Sequence, residues 1–188
     1  MSVETFIKEA VRLAQESVEN GWGGPFGAVI VSDGQIVSRG QNRVLLTGDI
    51  TAHAEVEAIR KAVRVLNPYA PSISEKNQDE FTLRLIPRPE GSPDVVPERA
   101  QMLDGMEIYM SGAPCPMCMS AIYWARISGV YFSQNWEDTR AIGFDDAFQY
   151  EDFAKPIAER RIKIQQVHPE IGVQAYKAWM ARENRHPY

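Results

Sequence analysis

Four residues in two short blocks stand out for the chemistry they could do. His53 and Glu55 lie in Thr51-Ala52-His53-Ala54-Glu55, and Cys115 and Cys118 lie in Pro114-Cys115-Pro116-Met117-Cys118. Side chains three apart share a helix face, so the two sulfurs can grip one ion. Adding an imidazole gives a ligand set that suits zinc, and three protein ligands leave a fourth position for water. That open position separates a catalytic metal site from a structural one. A carboxylate two residues from the imidazole is then the natural general base and acid for hydrolysis. Both blocks open helices, where the positive end of the dipole favours thiolates.

Two other readings of these residues stand beside that one. A Cys-x-x-Cys pair also serves thiol redox chemistry, in which His53 would be dispensable. A structural zinc would need a fourth ligand, for which His168 or His186 is available, and Glu55 would then be dispensable. What favours the hydrolytic reading is the matching His-x-Glu block. The combination His-x-Glu with Pro-Cys-x-x-Cys is the signature of zinc-dependent deaminases.

The elements that must position these residues follow from periodicity. Phe6, Ile7, Ala10, Val11, Ala14 and Val18 recur at helical spacing and Asn20-Gly21 supplies a stop, which predicts a first amphipathic helix. Gly27 to Ser32 and Gln35 to Ser38 flank Asp33-Gly34, a hairpin signal. A loop is expected from about Asn42 to Thr51, then a helix from Thr51 to Leu66 with Val56, Ile59, Val63 and Leu66 facing inward. Glu55 lies away from that helix's polar stripe, whereas the azimuth of His53 matches it. Residues 67–105 hold six of the twelve prolines and read as an irregular insertion, with a short strand at Phe81 to Ile86. Met106 to Ser111 reads as a buried strand, Pro114 to Arg126 as a helix and Val130 to Phe132 as the next strand. Arg161 to Val167 reads as a half-exposed strand and Pro169 to Glu183 as a last helix. Strands alternating with helices indicate one α/β domain over residues 1–188.

Composition narrows the classes. The chain has 188 residues, 44% hydrophobic and 24% charged, as ordinary globular domains do. A net charge of −5 argues against nucleic acid as a partner, because phosphate-binding surfaces carry a basic excess. No apolar run is long enough to span a membrane, and the first residues carry no signal-type pattern. Two cysteines three residues apart make a poor disulfide framework, so a reducing, cytoplasmic compartment is expected. The helix after Pro114 carries only Ser120 as a polar residue before Ala125, which predicts burial on both sides and hence a homodimer.

Beyond the metal motif, the chain resembles the cytidine deaminase-like superfamily and, within it, the small bacterial guanine deaminases. The blocks that carry the resemblance are Gly24 to Val31, Gln41-Asn42, Thr51 to Val56, Ala58 to Ala62, Pro114 to Cys118, Ala121 to Arg126 and Gly143-Phe144-Asp145-Asp146. They extend over nearly the whole chain apart from residues 67–105. The resemblance implies a three-layer α/β/α sandwich around a mixed sheet of about five strands. It implies Zn²⁺ held by His53, Cys115 and Cys118, and proton transfer by Glu55. Phe26 would stack on the base, Asn42 would hydrogen-bond its edge, and Asp146 would read guanine N–H groups or help move a proton. Tyr188 would close over the site, from the partner where the C-terminal segment is swapped within a dimer.

The implied reaction converts guanine and water into xanthine and ammonia. Asn42 and Asp146 suit guanine if both act as acceptors for its N1–H and N2–H groups. Cytosine, isocytosine, ammeline, guanosine and tRNA adenosine are alternatives that the metal motif alone does not separate. Phe26 also fits a core position, Asn42 a loop tie and Asp146 a helix cap. Trp124 fits either the core or the pocket. Ala113 departs from the pattern, since related sequences usually carry Glu before the Pro-Cys pair.

Overall fold

A computed structural model of the chain describes residues 1–66 and 101–183, together with Arg185 and Pro187. The expected strand at Phe81 to Ile86 and the position of Tyr188 lie outside the described residues.

Helix α1 spans Val3–Glu19 and begins where the Ser2 hydroxyl accepts the Thr5 N–H. Phe6, Ala10, Leu13, Ala14 and Ser17 form its buried stripe. Val18, expected inside, is exposed. The helix stops at Asn20, and Gly21 takes a left-handed φ of +66°. Strands β1 (Gly27–Ser32) and β2 (Gln35–Gln41) form the expected hairpin. Asp33 and Gly34 both have positive φ, which matches the strands' right-handed twist. Strands β3 (Glu107–Gly112) and β4 (Gly129–Gln134) complete a sheet of order β2-β1-β3-β4. β1 runs antiparallel to β2 and β3, whereas β3 and β4 are parallel.

Side chains alternate across β1 and β3, and each face has its own core. Val29, Val31 and Tyr109 meet Phe6 and Leu13 of α1. Ala28, Ile30, Ile108 and Met110 meet the other layer, where α3 (Ala54–Leu66) and α4 (Pro116–Trp124) lie. Both faces need close approach. A Cβ on Gly27 would lie 2.2 Å from the Ala10 carbonyl oxygen, and one on Gly40 would lie 1.9 Å from that of Ala54. This closeness explains a correction on α3. Its deepest residues are Ala54, Ala58 and Ala62; Ile59 and Val63 do pack against the core, partly buried, whereas Leu66 is exposed. Small side chains let the helix sit on the sheet, and the larger ones flank the contact.

The short helix α2 (Val44–Thr47) interrupts the expected loop after β2. Helices α5 (Trp136–Ala141) and α6 (Ala147–Phe153) follow β4, then a 3₁₀ turn at Ile157–Glu159 and helix α7 (Pro169–Met180). The end of the proposed insertion is ordered into the core. Leu103 is fully buried, and its N–H donates to the Ala125 carbonyl.

The largest departure is at Arg161 to Val167. No strand forms there, and the sheet has four strands among the described residues. A strand needs an edge to pair with, and this segment meets none among the described residues. α4 departs as well. Tyr123 is 73% and Trp124 64% exposed, so the single chain does not bury that helix on both sides, and Trp124 is not core. Among the described residues, no helix is long and apolar enough to cross a membrane.

Candidate active site

The loop before α3 and the start of α4 bring the two blocks together. His53 precedes the first residue of α3, and this terminal place lets the metal loop cover a side chain whose azimuth would otherwise face water. Cys115 is the N-cap of α4, and its sulfur accepts the Cys118 N–H at 3.5 Å. His53 Nδ1 lies 3.6 Å from Cys115 Sγ and 3.4 Å from Cys118 Sγ, and the three ligand atoms fall within 4.8 Å of one another. Tetrahedral zinc with ordinary Zn–N and Zn–S bonds separates such atoms by about 3.6 Å. The trio therefore fits the ion. Among the described residues it is the one such cluster. Of the two alternative fourth ligands, His168 stands apart from it and pairs with Glu170 on the surface, and His186 lies outside the described residues.

The charges of the trio point the same way. The Cys115 thiol is brought down to about 4, chiefly by its hydrogen bond from Cys118, with His53 and the Cys118 N–H adding. The Cys118 thiol is pushed up by that same pairing, by burial and by the charge of Glu55. His53 is pushed up by its hydrogen bond to Cys115. Without a cation the two thiols share one negative charge, and a divalent ion would relieve that frustration.

Glu55 is buried in the first turn of α3, as its azimuth implied. Burial raises its pKa, and the Cys115 thiolate adds to the effect. A carboxyl moved toward neutrality beside three metal-ligating atoms is poised to take and return a proton.

A second wall comes from the loops after α1 and β2. The Phe26 ring stands edge-on to Phe144, 5.1 Å between centroids, so the Gly-Phe-Asp-Asp block lies against it. Asn42 is buried, and its N–H donates to the Phe26 carbonyl. Its Oδ1 accepts the N–H groups of Gly24 and Val44, both at 3.2 Å. The oxygen expected to serve as an acceptor for the base thus ties the loop in this structure. Nδ2, a donor, makes no hydrogen bond among the described residues. Asp146 caps no helix through its side chain. Its Oδ1 is buried and has no hydrogen-bond partner among the described residues. Burial raises its pKa, and the charge of Cys115 contributes, which puts the carboxylate within electrostatic reach of the trio.

Sequence reasoning missed the side chains that brace this site. Ser17 donates to the Asn42 carbonyl at 2.7 Å, and Ser111 accepts the Gly27 N–H at 3.0 Å. A serine inside the apolar stripe of α1 was a usable signal for the first. Trp136 and Tyr150 reach the metal loop from α5 and α6, and nothing in their spacing announces it. Burial, with the Cys115 charge adding, pushes the Tyr150 hydroxyl up to about 12, so it stays protonated.

Comparison with known proteins decides the family. The profile of the cytidine and deoxycytidylate deaminase zinc-binding region matches residues 1–134. The chain belongs to that family. It is 41% identical to guanine deaminase of Bacillus subtilis over 188 residues, covering all of both chains. The X-ray structure of that guanine deaminase superposes with a TM-score of 0.79 over 100% of this chain and 99% of the other. A tRNA-specific adenosine deaminase of Aquifex aeolicus is 34% identical over 133 residues, 71% of this chain and 66% of that protein. The fold is thus the cytidine deaminase-like sandwich expected, with four strands here rather than about five. The chain is an aminohydrolase domain with a zinc-binding region, and His53, Cys115 and Cys118 could form its zinc site.

Proposed function

We propose that this chain hydrolyses guanine to xanthine and ammonia. The observation that carries the proposal is the 41% identity with a guanine deaminase over the full length of both chains. His53, Cys115 and Cys118 hold zinc in this reading. Bound there, zinc makes water acidic enough to serve as a nucleophile near neutral pH. Glu55 relays the two water protons in turn, one to the ring nitrogen and one to the departing amine. Phe26 stacks on the base. Asn42 donates through Nδ2 to an acceptor on the base edge, and the unpartnered Asp146 Oδ1 accepts from its N–H groups. A buried acceptor left unmet would select against bases that lack those donors. Tyr188 closes over the base.

The same reading includes a homodimer with a swapped C-terminal segment. Every residue from 161 to 183 is exposed in the single chain. α7 has 12 residues, and an isolated helix of that length is marginal in water. One edge of β4 is unpaired among the described residues, and Tyr131 beside it is 40% exposed. Residues 161–167 of a second copy would pair with that edge, and its α7 would cover Tyr131 on the α1 side of the sheet. Two free thiols as ligands suit the reducing cytoplasm.

The deciding assay offers purified protein guanine, guanosine, adenine, cytosine, isocytosine and ammeline, and follows ammonia. Release from guanine foremost is expected. Release from another base but not guanine would sink the substrate and leave the deaminase standing. Release from none would remove the enzyme reading.

A further inference from the structure

Ala113 brings no carboxylate to the metal loop, so the loop must be braced from elsewhere. The group to be braced is the Pro114 carbonyl, immediately before Cys115. Pro114 is fully buried, and a buried carbonyl needs partners. Two side chains from separate elements converge on it. Trp136 Nε1–H donates from the first residue of α5 at 3.1 Å, and the Tyr150 hydroxyl donates from α6 at 2.9 Å. The two rings stand edge to face, with centroids 6.0 Å apart. Trp136 meets Phe132 of β4 in the same manner at 5.2 Å. The donors are therefore held by packing as well as by the oxygen they share.

Geometry turns this into a statement about the ligand. The peptide unit is planar, so fixing its oxygen also fixes the nitrogen and Cα of Cys115. The proline ring restricts rotation on the other side. Little is left free to place Cys115 Sγ except the Cys115 side-chain torsion, and the Cys118 N–H engages that sulfur. A carbonyl has two lone pairs, and one donor on each holds the plane from two directions.

We propose that Trp136 and Tyr150 are positioning residues of the metal centre: together they grip the Pro114 carbonyl and set Cys115 Sγ at the separation from His53 and Cys118 that one ion requires. The inference rests on the zinc reading of the trio and is independent of which base is deaminated. Outer groups that orient ligands in this way change metal affinity by roughly 10- to 100-fold when removed.

The test uses Tyr150→Phe, Trp136→Phe and the double variant in the full chain. Zinc affinity is measured by competition with a chromophoric chelator, and the visible absorption of the cobalt(II)-substituted proteins reports ligand geometry. Urea unfolding of the apoproteins measures any purely structural loss. Each single variant should bind zinc about 10-fold more weakly and the double about 100-fold, with displaced cobalt bands. Unchanged affinity and superimposable cobalt spectra would overturn the proposal, whatever happens to apoprotein stability. If Trp136→Phe does not fold, Tyr150→Phe decides alone, because it keeps the ring and loses only the hydroxyl. If the unaltered chain takes up no zinc, the metal reading fails first and the positioning role fails with it.

Discussion

The layer that carries α3 and α4 and the segment that follows α6 treat their apolar side chains in opposite ways. In the first, Ala54, Ala58, Ala62, Ile122 and Cys118 are buried against the sheet, and even a carboxylate, Glu55, is enclosed. In the second, Ile164, Val167, Ile171 and Tyr176 all face solvent. Both stretches carry large apolar side chains, so the difference does not arise from lacking them. It arises from what each can reach. The metal layer finds its partners within one chain, whereas beyond Arg161, which meets Phe148 and Asp152, the residues up to 183 stay exposed against the described residues. Function and stability are therefore separable in the two regions. The first holds a buried carboxyl and two thiols that compete for one charge inside a packed core. The second holds unfrustrated apolar groups that lack a core.

The variant expected to act most strongly is Glu55→Gln. It should retain zinc and lose turnover by about 10²- to 10⁴-fold, while stability stays level or rises because a buried carboxyl has been relieved. Ammonia release, metal content and a urea midpoint check all three. Retained activity would take Glu55 out of its role, and a large stability loss would blur the contrast between the two regions.

Next comes Ile171→Ala in α7. An exposed residue tolerates truncation within about 0.5 kcal/mol, whereas a covered isoleucine costs about 2–5 kcal/mol. Thermal unfolding and sedimentation of the 21.2 kDa chain separate the cases. A neutral result, or a monomer at micromolar concentration, would mean that the segment is as uncovered in solution as in the single chain.

Asn42→Asp should have a smaller and more selective effect. It keeps an oxygen for the Gly24 and Val44 N–H groups and loses the Nδ2 donor. Near-normal stability with KM for guanine raised about 10-fold is expected. Equal loss of stability and no change in KM would reduce Asn42 to its loop.

The smallest effect concerns the surface of α1. The Arg12 guanidinium, with Arg39, holds the Glu9 carboxyl down to about 2. A depressed carboxylate contributes stability above its unfolded pKa of about 4.3, and the contribution is lost as pH falls toward the folded value. Glu9→Gln should therefore lower stability slightly at neutral pH and flatten its decline between about pH 4.5 and 2. Screening at these half-exposed partners keeps the effect small.

Much of the fold was legible because its signals are local. The Asp33-Gly34 turn, the Asn20-Gly21 stop and the helical period of Phe6, Ala10 and Ala14 depend on torsions and on neighbours within a turn or two. The four chemical residues were legible for the same reason, since three-residue spacing at a helix start dictates a shared face. Less legible was how closely a helix lies on a sheet, which put alanines rather than valines at the base of α3. The fate of Arg161 to Val167 was illegible in principle. Its alternation describes a strand, but pairing belongs to whatever edge it meets.

By itself, then, the sequence singled out the groups proposed to do chemistry here: His53, Cys115 and Cys118, which could hold the metal, the Glu55 carboxyl beside them, and the helix starts that present them. Only the tertiary structure decided how those groups are held. It tied the Asn42 oxygen to the Gly24 and Val44 N–H groups, and it left Asp146 Oδ1 without a partner among the described residues. It brought Trp136 and Tyr150, 22 and 36 residues away, onto the Pro114 carbonyl. The physical reason is range. Spacing along a helix fixes which side chains share a face, whereas a hydrogen bond between distant residues exists only once packing has brought donor and acceptor within about 3 Å.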